Sequence, residues 1–295
     1  MGRFQFRKYS QLYLMILPTL AYFAVFSLYP VFQGLYLSTQ KVLLLGGGIF
    51  VGLENYGSVI QDSMFWQAMG NTLILGIGMI GFGVFVPLIV SIALHEVPFA
   101  PLRRLTQTVI YTPHLFSWVV VGGIWIQVLS PDGGLVNELL KLLGSKPMHF
   151  LADTLWIRPV LVLLATWKSM GYNAVIYYAA ISSLDPGLYE AATVDGATRW
   201  QKIIKLTLPL LRPTVGVVLL LSTVGALRMF DQIFILRNLA TARTVDVLMT
   251  YVYDRGMLEF NLGESTAASF LVVIAGLSLL RVLRNAMDVD RAETF

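Results

Sequence analysis

The chain has 295 residues, of which 56% are hydrophobic and only 13% charged, with a net charge of +4. An ordinary soluble domain is about 25% charged, and this chain has too few charges to cover a soluble fold of its length. This argues against a soluble enzyme, a nucleic-acid binder or a disordered protein and for an all-α polytopic membrane protein, in which an excess of basic residues reports orientation and the absence of cysteine excludes disulfide, thiolate and iron–sulfur chemistry.

Arg3, Arg7 and Lys8 precede an apolar run, as in a signal peptide. The run, Leu12 to Leu37 with Pro18 and Pro30 inside it, is too long and lacks a small-residue cleavage site, so it reads as an uncleaved first span. A loop over 38–72 holds Gly46, Gly47 and Gly48, then Val51-Gly52-Leu53-Glu54-Asn55-Tyr56. Leu73 to Leu94, free of charge, is the second span, and Val109 to Leu129 the third, across a short basic loop. Within 130–158, Ser130-Pro131-Asp132-Gly133 opens and Gly144 closes a short amphipathic helix over Gly134 to Leu143. Pro159 to Ile181 is the fourth span and carries Lys168, while Thr214 to Leu236 is the fifth and carries Arg228 and Asp231. Ser265 to Leu280 is a short sixth, which Val282 and Leu283 extend if Arg281 snorkels. With six spans and the N-terminus inside, the inner segments hold 12 Lys and Arg, among them Arg284 and Arg291, against 7 outside. The bias places both termini in the cytoplasm.

Catalytic patterns are missing. No Gly-x-x-x-x-Gly-Lys-Ser/Thr occurs. His95-Glu96 opens a zincin-like pattern, but Phe99 stands where the second His is needed, and His95, His114 and His149 lie in separate segments, so no metal site is expected. Gly263-Glu264-Ser265-Thr266 starts like a nucleophile elbow but continues with Ala267. Asp231 is the one acid within the six spans, which leaves an intramembrane enzyme without a catalytic pair. No catalytic residue and no cofactor is assigned to the chain.

The inner segment 183–213 is the most informative. Asp185 is a helix N-cap with Pro186 in the first turn, Leu188 to Val194 reads as helix with Glu190 near its positive end, and Asp195-Gly196 breaks it. A second helix, Ala197 to Leu208, places Trp200, Ile203, Ile204 and Leu208 on one side and Arg199, Lys202 and Lys205 on the other, and Pro209 and Pro213 end it. This helix–turn–helix has a small Ala-rich face that another protein's groove could accept. From the residues alone, a plain interfacial helix with basic side chains at lipid headgroups is an equal reading.

Glu190-Ala191-Ala192, three residues, Gly196, nine residues, then Leu206-Thr207-Leu208-Pro209 resembles the EAA loop of binding-protein-dependent ABC importer permeases, E-A-A-x3-G-x9-I-x-L-P, with Leu206 for Ile. Nearly the whole chain agrees. Gln11 to Pro18, Gly52-Leu53-Glu54-Asn55-Tyr56, Tyr111-Thr112-Pro113-His114 with Ser117-Trp118-Val119-Val120, Ser130 to Gly134 and Asp185 to Tyr189 are similar to the sugar-importing, MalF-type permeases, and among them to the LplB-like oligosaccharide permeases. The resemblance implies the type I ABC importer permease fold in a bacterial plasma membrane. It implies a single permease domain over 1–295 that supplies half of an oligosaccharide pathway. It also implies as partners a second homologous permease, two ATPase subunits that bind ATP and magnesium, and an extracellular substrate-binding lipoprotein. Tyr189, Glu190, Ala191, Ala192, Asp195 and Gly196 are then the residues that couple to an ATPase subunit. Glu190 either accepts from a basic group of the partner or caps its own helix. A permease for a peptide, amino acid or phosphate ester carries a similar loop and stays open as an alternative.

Intramembrane charge usually faces a cavity or a partner. Lys168 has no acid in its own span and either lines an aqueous cavity or pairs with the second permease, whereas Arg228 and Asp231, three apart, are expected to pair on one helix face. Trp118, Trp125, Trp167, Tyr172, Tyr177 and Tyr178 lie at comparable depth with Gln127 and Asn173. Aromatic faces stack on sugars, and the same residues furnish membrane belts. The candidate pathway set is Trp118, Trp125, Lys168, Tyr172, Asn173, Tyr177, Arg228 and Asp231. A cationic lining would suit an acidic oligosaccharide.

Overall fold

The computed structural model describes residues 10–43 and 47–286. Arg3, Arg7, Lys8, Gly46 and Arg291 lie outside the described residues, as do the side chains of Leu283 and Arg284. The chain divides into two compact units, 1–62 with 252–271 and 63–251 with 272–295.

In the first unit, α1 (Gln11–Ser38) is exposed over most of its length, with Ser38 buried at its end, and a π turn over Ala24–Leu28 precedes Pro30. Strands β1 (Gln40–Val42) and β2 (Gly48–Phe50) form an antiparallel hairpin, followed by α2 (Glu54–Gln61). Buried Asn55 closes the top of α1: its Nδ2 donates to the carbonyls of Ser38 (2.8 Å) and Gln40 (2.9 Å). Gly263 packs against the same spot, where a Cβ would stand 2.2 Å from the Gln40 carbonyl oxygen. The Arg255 guanidinium bridges Asp62 and Glu259.

The second unit is built on α3 (Ser63–His95), α4 (Ala100–Leu115), α5 (Trp118–Val128), α6 (Leu135–Leu142) and α7 (Ile157–Ser182), then α8 (Pro186–Val194), α9 (Arg199–Leu210), α10 (Arg212–Leu227) and α11 (Asp231–Leu236). Short helices α12 (Ala242–Val245) and α13 (Leu248–Tyr253) lead to α14 (Leu262–Ala286), which opens in the first unit and continues in the second. Helices α3 and α7 form the centre. Leu75, Ile157, Leu161 and Leu164 meet Ile233 and Leu236 at one end, and Val84, Leu88, Tyr177 and Ile181 meet Leu211 and Val218 at the other. Gly171 sets the approach of α7 to α4, since a Cβ there would lie 2.2 Å from the Ile110 carbonyl oxygen. Asn71 pins the segment after α11: its Nδ2 donates to the carbonyls of Arg243 (3.1 Å) and Asp246 (2.8 Å), while its Oδ1 accepts from Arg158 (2.8 Å).

The apolar runs locate the helices, and the structure corrects their limits. Helix α3 begins at Ser63, ten residues before the expected Leu73, and α14 outruns its 16-residue apolar core at both ends. The third expected span, Val109 to Leu129, is not one helix: α4 and α5 meet at 102°. Pro113 withholds an N–H from the ladder, Phe116 is extended (ψ 148°), and Ser117 caps the new helix, its Oγ accepting from the Val120 N–H (3.4 Å). The fifth, Thr214 to Leu236, is also broken, because α10 ends at Leu227 and α11 restarts at Asp231. Pro209 does not end the hairpin's second helix. A π turn over Ile203–Thr207 absorbs it, and the break falls at Leu211.

Gly171→Ala should destabilise the folded chain by about 1–3 kcal/mol through overpacking. Gly81→Ala, where a Cβ meets nothing within 4 Å, should be neutral or stabilising. Thermal unfolding of the two variants in detergent checks the contrast.

Candidate functional site

The segment 183–213 folds as a capped hairpin. Asp185 Oδ1 accepts from the Gly187 N–H (2.9 Å) at the start of α8. The end of α8 is a Schellman motif: the Gly196 N–H donates to Thr193 O (3.0 Å), the Ala197 N–H donates to Ala192 O (2.9 Å), and Gly196 has φ +77°. Thr198 and Gln201 then form a capping box for α9. The signature Thr-x-x-Gln stood in the sequence, and it moves the helix start two residues past the expected Ala197. The hairpin is tied shut by Tyr189 Oη to Thr207 Oγ1 (2.9 Å) and by Lys202 Nζ donating to Thr193 Oγ1 (2.7 Å). Arg199 pairs with Glu96 just past the end of α3 (2.6 Å). Beneath this clasp lies a cavity of about 240 Å³ lined by His95, Glu96, Tyr189, Arg199, Lys202 and Thr207, with Ile92, Ile181 and Ile203.

These bonds sort the expected coupling residues. Tyr189 and Ala192 turn toward the hairpin, while Glu190, Ala191, Asp195 and Gly196 are exposed. The expected apolar side of the second helix is not one face. Trp200 (72% exposed) and Ile204, four residues apart, stand outward, whereas Ile203 and Leu208, five apart across the π turn, are half-buried. With Val194, 88% exposed, Trp200 gives the hairpin an outward apolar component.

The second constellation is a cavity of about 300 Å³ where the α4–α5 break faces α3, α7 and α10. His114 and Trp118 line it from the break, Tyr172 and Asn173 from α7, Gly83 from α3, and Ser222 and Gln232 from the α10–α11 region. His114 and Tyr172 stack with centroids 4.7 Å apart and ring planes at 16°. Lys168 Nζ donates to the His114 carbonyl (3.1 Å) and stands 5.5 Å over the Trp118 ring. The end of α4 leaves carbonyls without helical partners, and a cation is well suited to such an end. Asn173 has a parallel task. Pro87 cannot bond the carbonyl four residues before it, and Asn173 Nδ2 donates to that Gly83 oxygen (2.9 Å).

Other members of the expected set lie elsewhere. Tyr177 is fully buried in the apolar cluster around Val84 and Val218, and its Oη has no hydrogen-bond partner among the described residues. Trp125 packs edge-on against Trp167 (5.6 Å), with its indole N–H likewise unpartnered among the described residues. Arg228 and Asp231 are exposed and form no ion pair with each other among the described residues. The expected pairing fails because the break at 228–230 puts them on separate helical segments. His114, weighed in the sequence as a metal ligand, is instead half of the aromatic platform. Its place after Pro113 was visible, but the break was not.

Residues 83–288 match the family described as the binding-protein-dependent transport system inner membrane component. The chain belongs to this family. The permease is 34% identical over 273 residues to the polygalacturonan/rhamnogalacturonan transport system permease protein YteP of Bacillus subtilis, covering 91% of this chain and 85% of the relative. Over 272 residues it is 32% identical to Protein LplB of Bacillus subtilis, covering 91% and 86%, which bears out the LplB-like resemblance. It superposes with a TM-score of 0.89 at 32% identity, over 98% of each chain, on a chain of the crystal structure of a bacterial ABC transporter involved in the import of the acidic polysaccharide alginate. The permease is thus a multi-pass, mostly helical inner-membrane transport component.

Asn173→Leu should cost the permease about 1–3 kcal/mol by leaving the Gly83 carbonyl unsatisfied. Adding Pro87→Ala returns an N–H to the ladder and should recover most of that loss. Thermal unfolding of the single and double variants tests the assignment.

Proposed function

We propose that this permease forms half of the translocation pathway of an ATP-driven oligosaccharide importer. On this reading it works with a second homologous permease, two ATPase subunits that bind ATP and magnesium, and an extracellular substrate-binding lipoprotein. The whole chain acts as one permease domain with six crossings and both termini in the cytoplasm. The crossings are α1, α3, the bent pair α4–α5, α7, α10 with α11, and α14, while α9 stays in the cytoplasmic hairpin. The distribution of Lys and Arg in the loops supports this orientation.

The observation that carries the coupling role is the build of the hairpin. Bonds at both helix starts, at the Gly196 turn and between the arms make it a rigid knob that presents Glu190 and Ala191. A rigid projection transmits a push, whereas a flexible loop absorbs it. The Arg199–Glu96 pair carries that push to α3, whose Met79 and Gly83 line the cavity. The cavity supports a saccharide cargo through the His114–Tyr172 platform and the amide of Gln232. For the class of saccharide we infer an acidic one. Lys168 does not line the cavity itself but is held next to it by the His114 carbonyl and the Trp118 ring, and its charge has no ion pair among the described residues, which supports an anionic cargo. The likeness to a transporter of the acidic polysaccharide alginate supports the same inference.

Two experiments on the reconstituted transporter test these readings. Gly196→Leu forces a branched residue into left-handed backbone, at a cost of about 1–2 kcal/mol, and Glu190→Lys reverses the outward charge. Each should abolish ATP-driven uptake while the complex still assembles, and full uptake by either would refute the coupling role. Lys168→Met should lower substrate-stimulated ATPase for acidic oligosaccharides more than for neutral ones. An equal response to both would make Lys168 purely structural.

A further inference from the structure

Helix α6 divides its surface among three surroundings. Val136, Asn137 and Leu140 turn toward the protein. Asn137 is fully buried: its Nδ2 donates to the carbonyls of Leu129 (3.2 Å), Ser130 (2.9 Å) and Met148 (3.1 Å), and its Oδ1 accepts from the Met148 N–H (2.7 Å). A second face carries Glu138 and Lys141, paired at 2.7 Å and open to water. The third carries Leu135, Leu139, Leu142 and Leu143, each more than half exposed. Their spacing of four, seven and eight residues from Leu135 puts them on one side of the helix.

The position of α6 says what covers those leucines. Six residues join it to α5, and Asn137 holds it against the carbonyls of Leu129 and Ser130, at the point where that membrane helix finishes. Val119, Val120, Ile124 and Ile126 make the exposed surface of α5 apolar up to this level. The return to α7 carries Phe150 and Trp156 in edge contact (5.9 Å) beside exposed Leu155, a composition suited to the headgroup region. A helix with one face in protein, one charged and one of bare leucines, attached to the end of a membrane helix, fits a lipid–water boundary.

We propose that α6 lies in the bilayer interface at the end where α5 finishes and α7 begins. Leu135, Leu139, Leu142 and Leu143 enter the acyl boundary of the phospholipid. Glu138 and Lys141 stay in water, and Asn137 fastens the helix to the bundle, which holds that end of the permease at a fixed depth.

The chain has no cysteine, so single spin labels report cleanly. Leu139→Cys, Leu142→Cys, Glu138→Cys and Lys141→Cys, each labelled in the assembled transporter in phosphatidylglycerol–phosphatidylcholine bilayers, are compared for collision with oxygen and with a water-soluble nickel chelate. Labels at 139 and 142 should favour oxygen over nickel, and labels at 138 and 141 the reverse. The proposal falls if all four favour nickel, or if neither reagent reaches 139 and 142. It also falls if 139 and 142 are nickel-accessible until a saccharide-loaded binding protein is added, since the leucine face then belongs to that protein.

Discussion

A backbone carbonyl freed inside the hydrocarbon layer has no water to turn to and costs several kcal/mol unless another donor reaches it. Two of the carbonyls so freed in the second unit, Gly83 by Pro87 and His114 by the end of α4, each receive a donor from α7, through Asn173 and Lys168. The cavity lies where the α4–α5 break faces α3 and α7, beside both of these bonds. Gly171, between the two donors, brings the α7 backbone against Ile110 and sets the distance over which they work. Polar residues in the middle of α7 are therefore accounted for by the structure before any cargo is considered.

What could be read from the sequence was local. The hairpin of 183–213 follows from caps, a glycine and a helical period within thirty residues of chain, and it folds much as those signals require. The apolar runs locate the membrane helices for the same reason. Their true ends did not follow from hydropathy, since the polar first turns of α3 are held by distant partners such as Arg158 on Asn71. The breaks at 116–117 and 228–230 lie inside runs whose average hydropathy is that of a single span, and average hydropathy does not register backbone direction. Asn173 looked like a ligand for the same reason: the carbonyl it satisfies lies 90 residues away in sequence.

The two constellations share helices α3 and α7, which line both cavities. Arg199 and Glu96 connect the hairpin to the end of α3, and α3 runs on to Gly83 at the cavity. Exposed ion pairs contribute little to stability, so this pair matters for the direction it imposes on the hairpin. The ties of Tyr189 to Thr207 and of Lys202 to Thr193 keep the two arms from moving independently.

The π turn at Ile203–Thr207 separates distance along the chain from distance in space. Such a turn takes up one residue more than the α turn it replaces while leaving the helix on either side on course. The interval from Gly196 to Leu206-Thr207-Leu208-Pro209 therefore counts a residue that the helix axis does not use. Regularising the turn without removing that residue would instead rotate everything beyond it by about 100° and advance it by about 1.5 Å. The path from the hairpin to α10 thus holds a built-in slack of one residue at the point where it enters the bundle.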